Sequence, residues 1–132
     1  MRIAIDASRT TVPRVTGTER YALRLIQALI ALDSSYDITL YFRNTPPPDL
    51  FPLHPRVTQR VIAFPRLWTH ARFAAALYRD RPDVTFVPAH TLPMWFPGPG
   101  VVTVHDLGYR HFPDAHPARQ RLYLDLSTRY SA

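Results

Sequence analysis

Five short apolar runs, separated by helical patterns, constrain this chain more than any other feature of its sequence. Arg2-Ile3-Ala4-Ile5-Asp6 reads as a first strand with apolar positions at 3 and 5. Asp37 to Phe42, Arg56 to Ala63, Pro82 to Val87 and Val101 to Val104 read as four more, the last a buried, β-branched run. Between them lie helical stretches. Thr16-Gly17-Thr18-Glu19 opens one, and Thr16 with Glu19 three residues on fits a capping box. Tyr21, Leu25, Ala28, Leu29 and Leu32 then recur at helical spacing, and Leu23, Ile26 and Ile30 broaden the apolar face. Leu67 to Arg79 and Pro117 to Tyr130 are the other two helices, the second with Pro117 in its first turn. The order β-α-β-β-α-β-β-α predicts an α/β fold with an open, mostly parallel sheet and flanking helices.

At 132 residues the chain matches one domain. No internal repeat of 20 to 50 residues is visible. "TPPPDLFPLHP" (45–55) holds five prolines and predicts a loop or a stiff extended segment. No apolar run approaches the roughly 20 residues of a membrane span. The start, MRIAIDASR, lacks the long apolar stretch of a secretory leader, so the expected location is cytoplasmic. With no cysteine, disulfides, thiolate nucleophiles and Cys-ligated zinc are excluded. All 16 basic residues are arginine, which fits a GC-rich genome. The net charge of +6 favours acidic partners such as nucleotide phosphates or an anionic membrane surface. The arginines are scattered, however, and a nucleic-acid interface would cluster them.

In parallel α/β sheets, ligands bind beyond the carboxyl ends of the strands. That rule selects the loops holding Gly17, His90, and His105 with Asp106. Thr16 and Gly17 open a helix whose amides could hold an anion, although a plain helix cap explains the same residues. Neither a GxGxxG nor a GxxxxGK[ST] follows the first strand, which disfavours standard dinucleotide and P-loop sites. His54 and His70 read as surface packing. His90 and His105 each closely follow an apolar strand, where an imidazole could donate to a sugar hydroxyl or phosphate. His111 and His116 flank Phe112-Pro113-Asp114 and could join Asp106 around a metal, but no HxH or HExxH spacing supports this. A Ser-His-Asp hydrolase lacks its GxSxG elbow, and the dispersed acids offer no glycosidase pair.

Three segments taken together, "TGTERYALRLIQAL", "FVPAHTLP" and "VVTVHDLGYRHFPDAHPARQRLYL", resemble the N-terminal domain of retaining glycosyltransferases of family 4, group 1 type, with the GT-B fold. The resemblance spans nearly the whole chain, and its third segment is the most specific. It implies a Rossmann-like acceptor-side domain facing a second, donor-binding domain across a cleft. It further implies transfer of a hexose, mannose or glucose, from a nucleotide sugar to an acceptor hydroxyl, with retention and with no metal or other cofactor. Gly17 then falls at the family's glycine loop near the donor phosphates; many members have Gly-Gly where this chain has Thr16-Gly17. His105 matches a histidine near the transferred sugar, Asp106 would orient that histidine or the following loop, and His90 faces the acceptor.

The donor-binding half, with its paired glutamates, is not in the sequence, and Ser127 to Ala132 reads as an interrupted helix. Residues 1–132 are therefore expected to be a truncated acceptor-side domain, inactive alone and prone to self-association. The implied partners are the nucleotide sugar, a glycan or lipid-linked acceptor and the missing domain, with no nucleic acid. Trp95 and Phe96, read as exposed, would permit peripheral membrane contact. A stand-alone sugar- or nucleotide-binding module and a metal-dependent hydrolase using His90, His105, Asp106 and His111 remain as alternatives.

Overall fold

A computed structural model describes residues 1–32, 35–63, 68–89, 91–108 and 117–131. Strand β1 (Arg2–Asp6) lies at the centre of a five-stranded sheet with β2 (Asp37–Phe42), β3 (Val57–Val61), β4 (Val84–Val87) and β5 (Gly100–Val102), in the order β3-β2-β1-β4-β5. All four ladders are parallel. The predicted Rossmann-like α/β architecture is thus present, and fully rather than mostly parallel.

Each face of the sheet carries its own core, because alternate residues of a strand point to opposite sides. Ile5, Ile38, Leu40 and Phe42 pack with Ile26 and Ile30 of helix α1 (Gly17–Ala31) on one face. Ala4, Tyr41 and Val87 pack with Leu77 of α2 (Ala74–Asp80) and with Trp68 and Phe73 on the other. The helices joining β1 to β2 and β3 to β4 therefore cover opposite faces, as a doubly wound sheet requires. The proline-rich segment joins β2 to β3 without a helix. Its Phe51 is buried against Phe42, and Gln27 of α1 donates to the Leu50 carbonyl at 2.9 Å.

Four sequence expectations are corrected. The buried side of α1 runs through Glu19, Ala22, Ile26 and Ile30, whereas Tyr21 and Leu32 are exposed. The 100° step of a helix lets two neighbouring stripes score alike in so apolar a segment, and contact with the sheet selects one. The predicted helix over 67–79 is a π-helical turn (Trp68–Phe73) running into α2. Among the described residues, strand β5 is an edge strand paired with β4 alone, which leaves Val101 half-exposed rather than buried. Finally, Phe96 packs against the core beside Leu92, and Trp95 alone of that pair projects into solvent. Helix α3 (Ala118–Ser131) follows the last loop. Among the described residues, no helix is long and apolar enough to cross a membrane.

Candidate functional site at the carboxyl edge of the sheet

Connections leave β1 and β4 toward opposite faces, so a crevice opens where these neighbouring strands end. Ala7 follows β1 there with its N–H on the Tyr41 carbonyl, and the buried Pro88 follows β4.

His105 reaches this crevice from the loop after β5. Its Nε2 lies 2.8 Å from the Pro88 carbonyl. A carbonyl only accepts, so Nε2 carries the proton. Tyr21 meets the imidazole edge-on, with ring centroids 4.9 Å apart, and its hydroxyl lies 3.3 Å from that of Thr103. Thr103 in turn donates its N–H to Val87. The loop after β5 is thereby fastened to the end of β4 on one side and to α1 on the other. Asp106 is exposed and accepts the Gly108 N–H at 2.9 Å, a contact that shapes the following loop.

The other wall is the start of α1. Glu19 accepts the N–H of Thr16 at 2.9 Å and also its hydroxyl. The Thr16 hydroxyl, then the backbone N–H groups of Thr16 and Glu19, and last the charge of Arg9, whose guanidinium is 3.7 Å away, hold this carboxyl below its ordinary range against the opposing effect of burial. Arg20 N–H makes the first helical bond to the Thr16 carbonyl, so the amides of Gly17 and Thr18 precede the ladder. A methyl group added at Gly17 would meet nothing within 4 Å: the space above it is open. Beneath this wall, Asp6 ends β1 with 6% exposure and accepts the Ser8 N–H at 2.9 Å. Burial raises its pKa, against the lowering effects of Ser8 and Arg9.

A cleft of about 550 Å³ opens along the same edge, toward β2. Ser8, Arg9, Arg43, Asn44, Thr69 and His70 supply its polar lining, with Trp68 and Val12 among the apolar part. His70 is half-buried and accepts the Met94 N–H at 3.3 Å. Burial lowers its pKa, which favours the neutral ring at pH 7. The volume lies in the range of small-molecule sites, and donors predominate over acceptors, as suits a polyhydroxylated or anionic ligand.

Of the residues singled out from sequence, Thr16, Gly17, His105 and Asp106 all lie on this edge. His90, His111, His116 and Asp114 lie outside the described residues. Among the described residues, no group of three or more His, Asp or Glu could hold a metal ion. Sequence reasoning missed Tyr21, Thr103, Asp6 and the cleft-lining Arg9, Arg43 and His70. Tyr21 had a usable signal: four residues after Gly17, it projects on the same side of the helix. Residues 43 and 70 had none, since only folding brings the ends of β2 and the π-helical turn together. No protein-family model, curated protein or solved structure matches the chain closely enough to count as a relative.

Proposed function

We propose that this chain is the acceptor-side half of a retaining glycosyltransferase that moves a hexose, mannose or glucose, from a nucleotide sugar to an acceptor hydroxyl. The observation that carries this reading is the seat of His105. An imidazole with a fixed tautomer sits at the crevice between β1 and β4, between the Pro88 carbonyl and Tyr21. Opposite it the start of α1 presents Gly17 with open space above. Departure of a nucleoside diphosphate develops negative charge, which amides at a helix start stabilise, while His105 would hydrogen-bond the transferred sugar. The ionised Glu19 opposes an anion at this place and Arg9 favours it, so Arg9 is part of the proposed donor-phosphate environment. The cleft toward β2 would take the acceptor, its hydroxyls met by Ser8, Asn44 and Thr69. The acceptor hydroxyl attacks on the face the leaving group departs from, which gives retention without an enzyme nucleophile. Asp106 supports the loop that carries His105.

A screen of nucleotide sugars and acceptors on the full-length polypeptide tests the reading. Retaining transfer is expected, with His105→Ala lowering turnover about a hundredfold, the lower range for loss of a preorganised hydrogen bond at the reacting sugar. Unchanged kinetics in His105→Ala would remove that residue from the site. Turnover by residues 1–132 alone would refute the assignment as half of an enzyme. Trp95, 76% exposed, is the natural membrane-facing residue if the acceptor is lipid-linked.

A further inference from the structure

The wall of the crevice formed by α1 meets the loop after β5 at Tyr21. The cap of α1 fixes where this residue stands: Thr16 and Glu19 close the first turn, and Arg20 N–H bonds the Thr16 carbonyl. Ala22, Ile26 and Ile30 face the sheet, so Tyr21, one helical step of about 100° back from Ala22, leaves the helix on its flank. It is 41% exposed, yet it makes two contacts to the loop after β5. Its ring meets the His105 imidazole with centroids 4.9 Å apart and planes at 89°, an edge-to-face pair. Its hydroxyl lies 3.3 Å from Thr103 Oγ1, and the Thr103 N–H is itself held by the Val87 carbonyl at 3.0 Å.

A hydrogen bond through one nitrogen fixes a point of a ring and lets its plane swing about that point. The bond from His105 Nε2 to the Pro88 carbonyl is of this kind, and Tyr21 supplies a contact to the ring itself. Tyrosine suits such a task, because its bulk is rigid and only two torsions must be ordered. At 3.3 Å the hydroxyl contact is long for an O–H···O bond, so the ring carries the larger part. We propose that Tyr21 is a positioning residue for His105, setting the plane of the imidazole through its aromatic ring. Gly17 stands about one helical turn before Tyr21, so the same segment of α1 also sets the separation between the open helix start and the imidazole. The consequence for glycosyl transfer rests on the proposed role of His105 at the sugar; the ring contact does not.

Nitrogen NMR of the imidazole in the 132-residue chain reads the tautomer directly. With the ring neutral, the parent should show one tautomer, protonated at Nε2. Tyr21→Phe keeps the aromatic ring and should keep that signature. Tyr21→Leu and Tyr21→Met both remove it; once the plane swings, the bond to Pro88 weakens and a mixture of the two tautomers is expected, with a folded amide spectrum. Tyr78→Leu, at a half-exposed tyrosine on α2, should leave His105 as in the parent. In the full-length polypeptide, Tyr21→Leu should lower kcat about five- to tenfold, the size of one aromatic pair, with little change in the KM for the donor, and Tyr21→Phe should restore it. A parent tautomer in the folded Tyr21→Leu and Tyr21→Met chains overturns the proposal. An equal change in Tyr21→Phe and Tyr21→Leu also overturns it, because the role would then belong to the hydroxyl. Failure of the transferase reading looks different: the full-length polypeptide moves no sugar, or His105→Ala has parent kinetics, and the tautomer series on the 132-residue chain still decides the role of Tyr21.

Discussion

Asp80 ties β2, β3 and α2 together through one carboxylate, and its titration gives a measurable handle on that junction. Burial pushes its pKa up, but hydrogen bonds from Arg79, Tyr41 and Arg60 together with the Arg60 charge prevail and hold it at about 2, against an ordinary 3.8. Its side chain is 20% exposed, so solvent screening is limited. The folded state therefore prefers the ionised group more than the unfolded chain does. This contribution is complete well above pH 3.8 and is lost as the pH falls toward 2. At about 1.4 kcal/mol for each pH unit between the two values, it amounts to about 2 kcal/mol at pH 7, of which about half is gone by pH 3. Asp80→Asn keeps a hydrogen-bond acceptor but removes the charge, so it should cost about 2 kcal/mol at pH 7. Urea unfolding of both proteins at pH 7, 4 and 3 measures the difference. The gap should narrow by about 1 kcal/mol between pH 7 and pH 3. A gap that stays constant, or widens, would show that the Arg60–Asp80–Arg79 cluster contributes no net electrostatic stability.

Three further outcomes follow from the carboxyl edge and from the exposed surface. Gly17→Ala adds a methyl group into open space, so thermal unfolding should change by less than about 0.5 kcal/mol, while the proposed glycosyl transfer by the full-length polypeptide should fall; equal activity would remove Gly17 from the proposed donor site. Asp6→Asn keeps the acceptor for Ser8 N–H but relieves a buried charge. Because burial raises the Asp6 pKa, the wild type loses stability as pH rises from 3.8 through the folded value, so the variant should melt higher at pH 7 and a lower melting temperature would contradict this. Leu122 and Leu126 on α3 and Val101 on the β5 edge are exposed apolar residues, and the chain is expected to self-associate; a monomer by light scattering at millimolar concentration would refute that.

The strands were legible because their Val- and Ile-rich runs are short and well bounded. The first two were placed at Arg2–Asp6 and Asp37–Phe42, as found. Location within the sheet was not legible. Val101 and Val102 look as buried in sequence as Ile3 and Ile5, yet one pair ends on the sheet's edge and the other at its centre, and strand order is a property of the whole chain. The same limit applied at the site. Position after a strand pointed to His105, Thr16 and Gly17, because the carboxyl edge of a parallel sheet is a fixed place. Tyr21 was assigned to the core because an aromatic at helical spacing is ordinarily core.

The contacts of the β4–β5 region show that the two walls of the crevice are built differently. A methyl group at Gly100 would lie 2.5 Å from Phe96 and about 3 Å from Leu92, so the loop before β5 is packed hard against the strand's first residue. Leu92 N–H is further held by the Ser131 hydroxyl, and Trp95 N–H by the Tyr130 hydroxyl, although the Trp95 backbone is in the left-handed region at φ 50°. Such a conformation costs on the order of 1 kcal/mol for a bulky residue, and the surrounding contacts must offset it. After the strand, Thr103 and His105 continue the fastening on Val87 and Pro88. The imidazole is thus placed by a chain of backbone contacts that needs no ligand. The opposite wall, at Gly17, faces open space. A wall that fixes one group, set against an open helix start, is what the proposed reading of half a site requires: one side of the ligand met by His105, the other reached through the open space above Gly17.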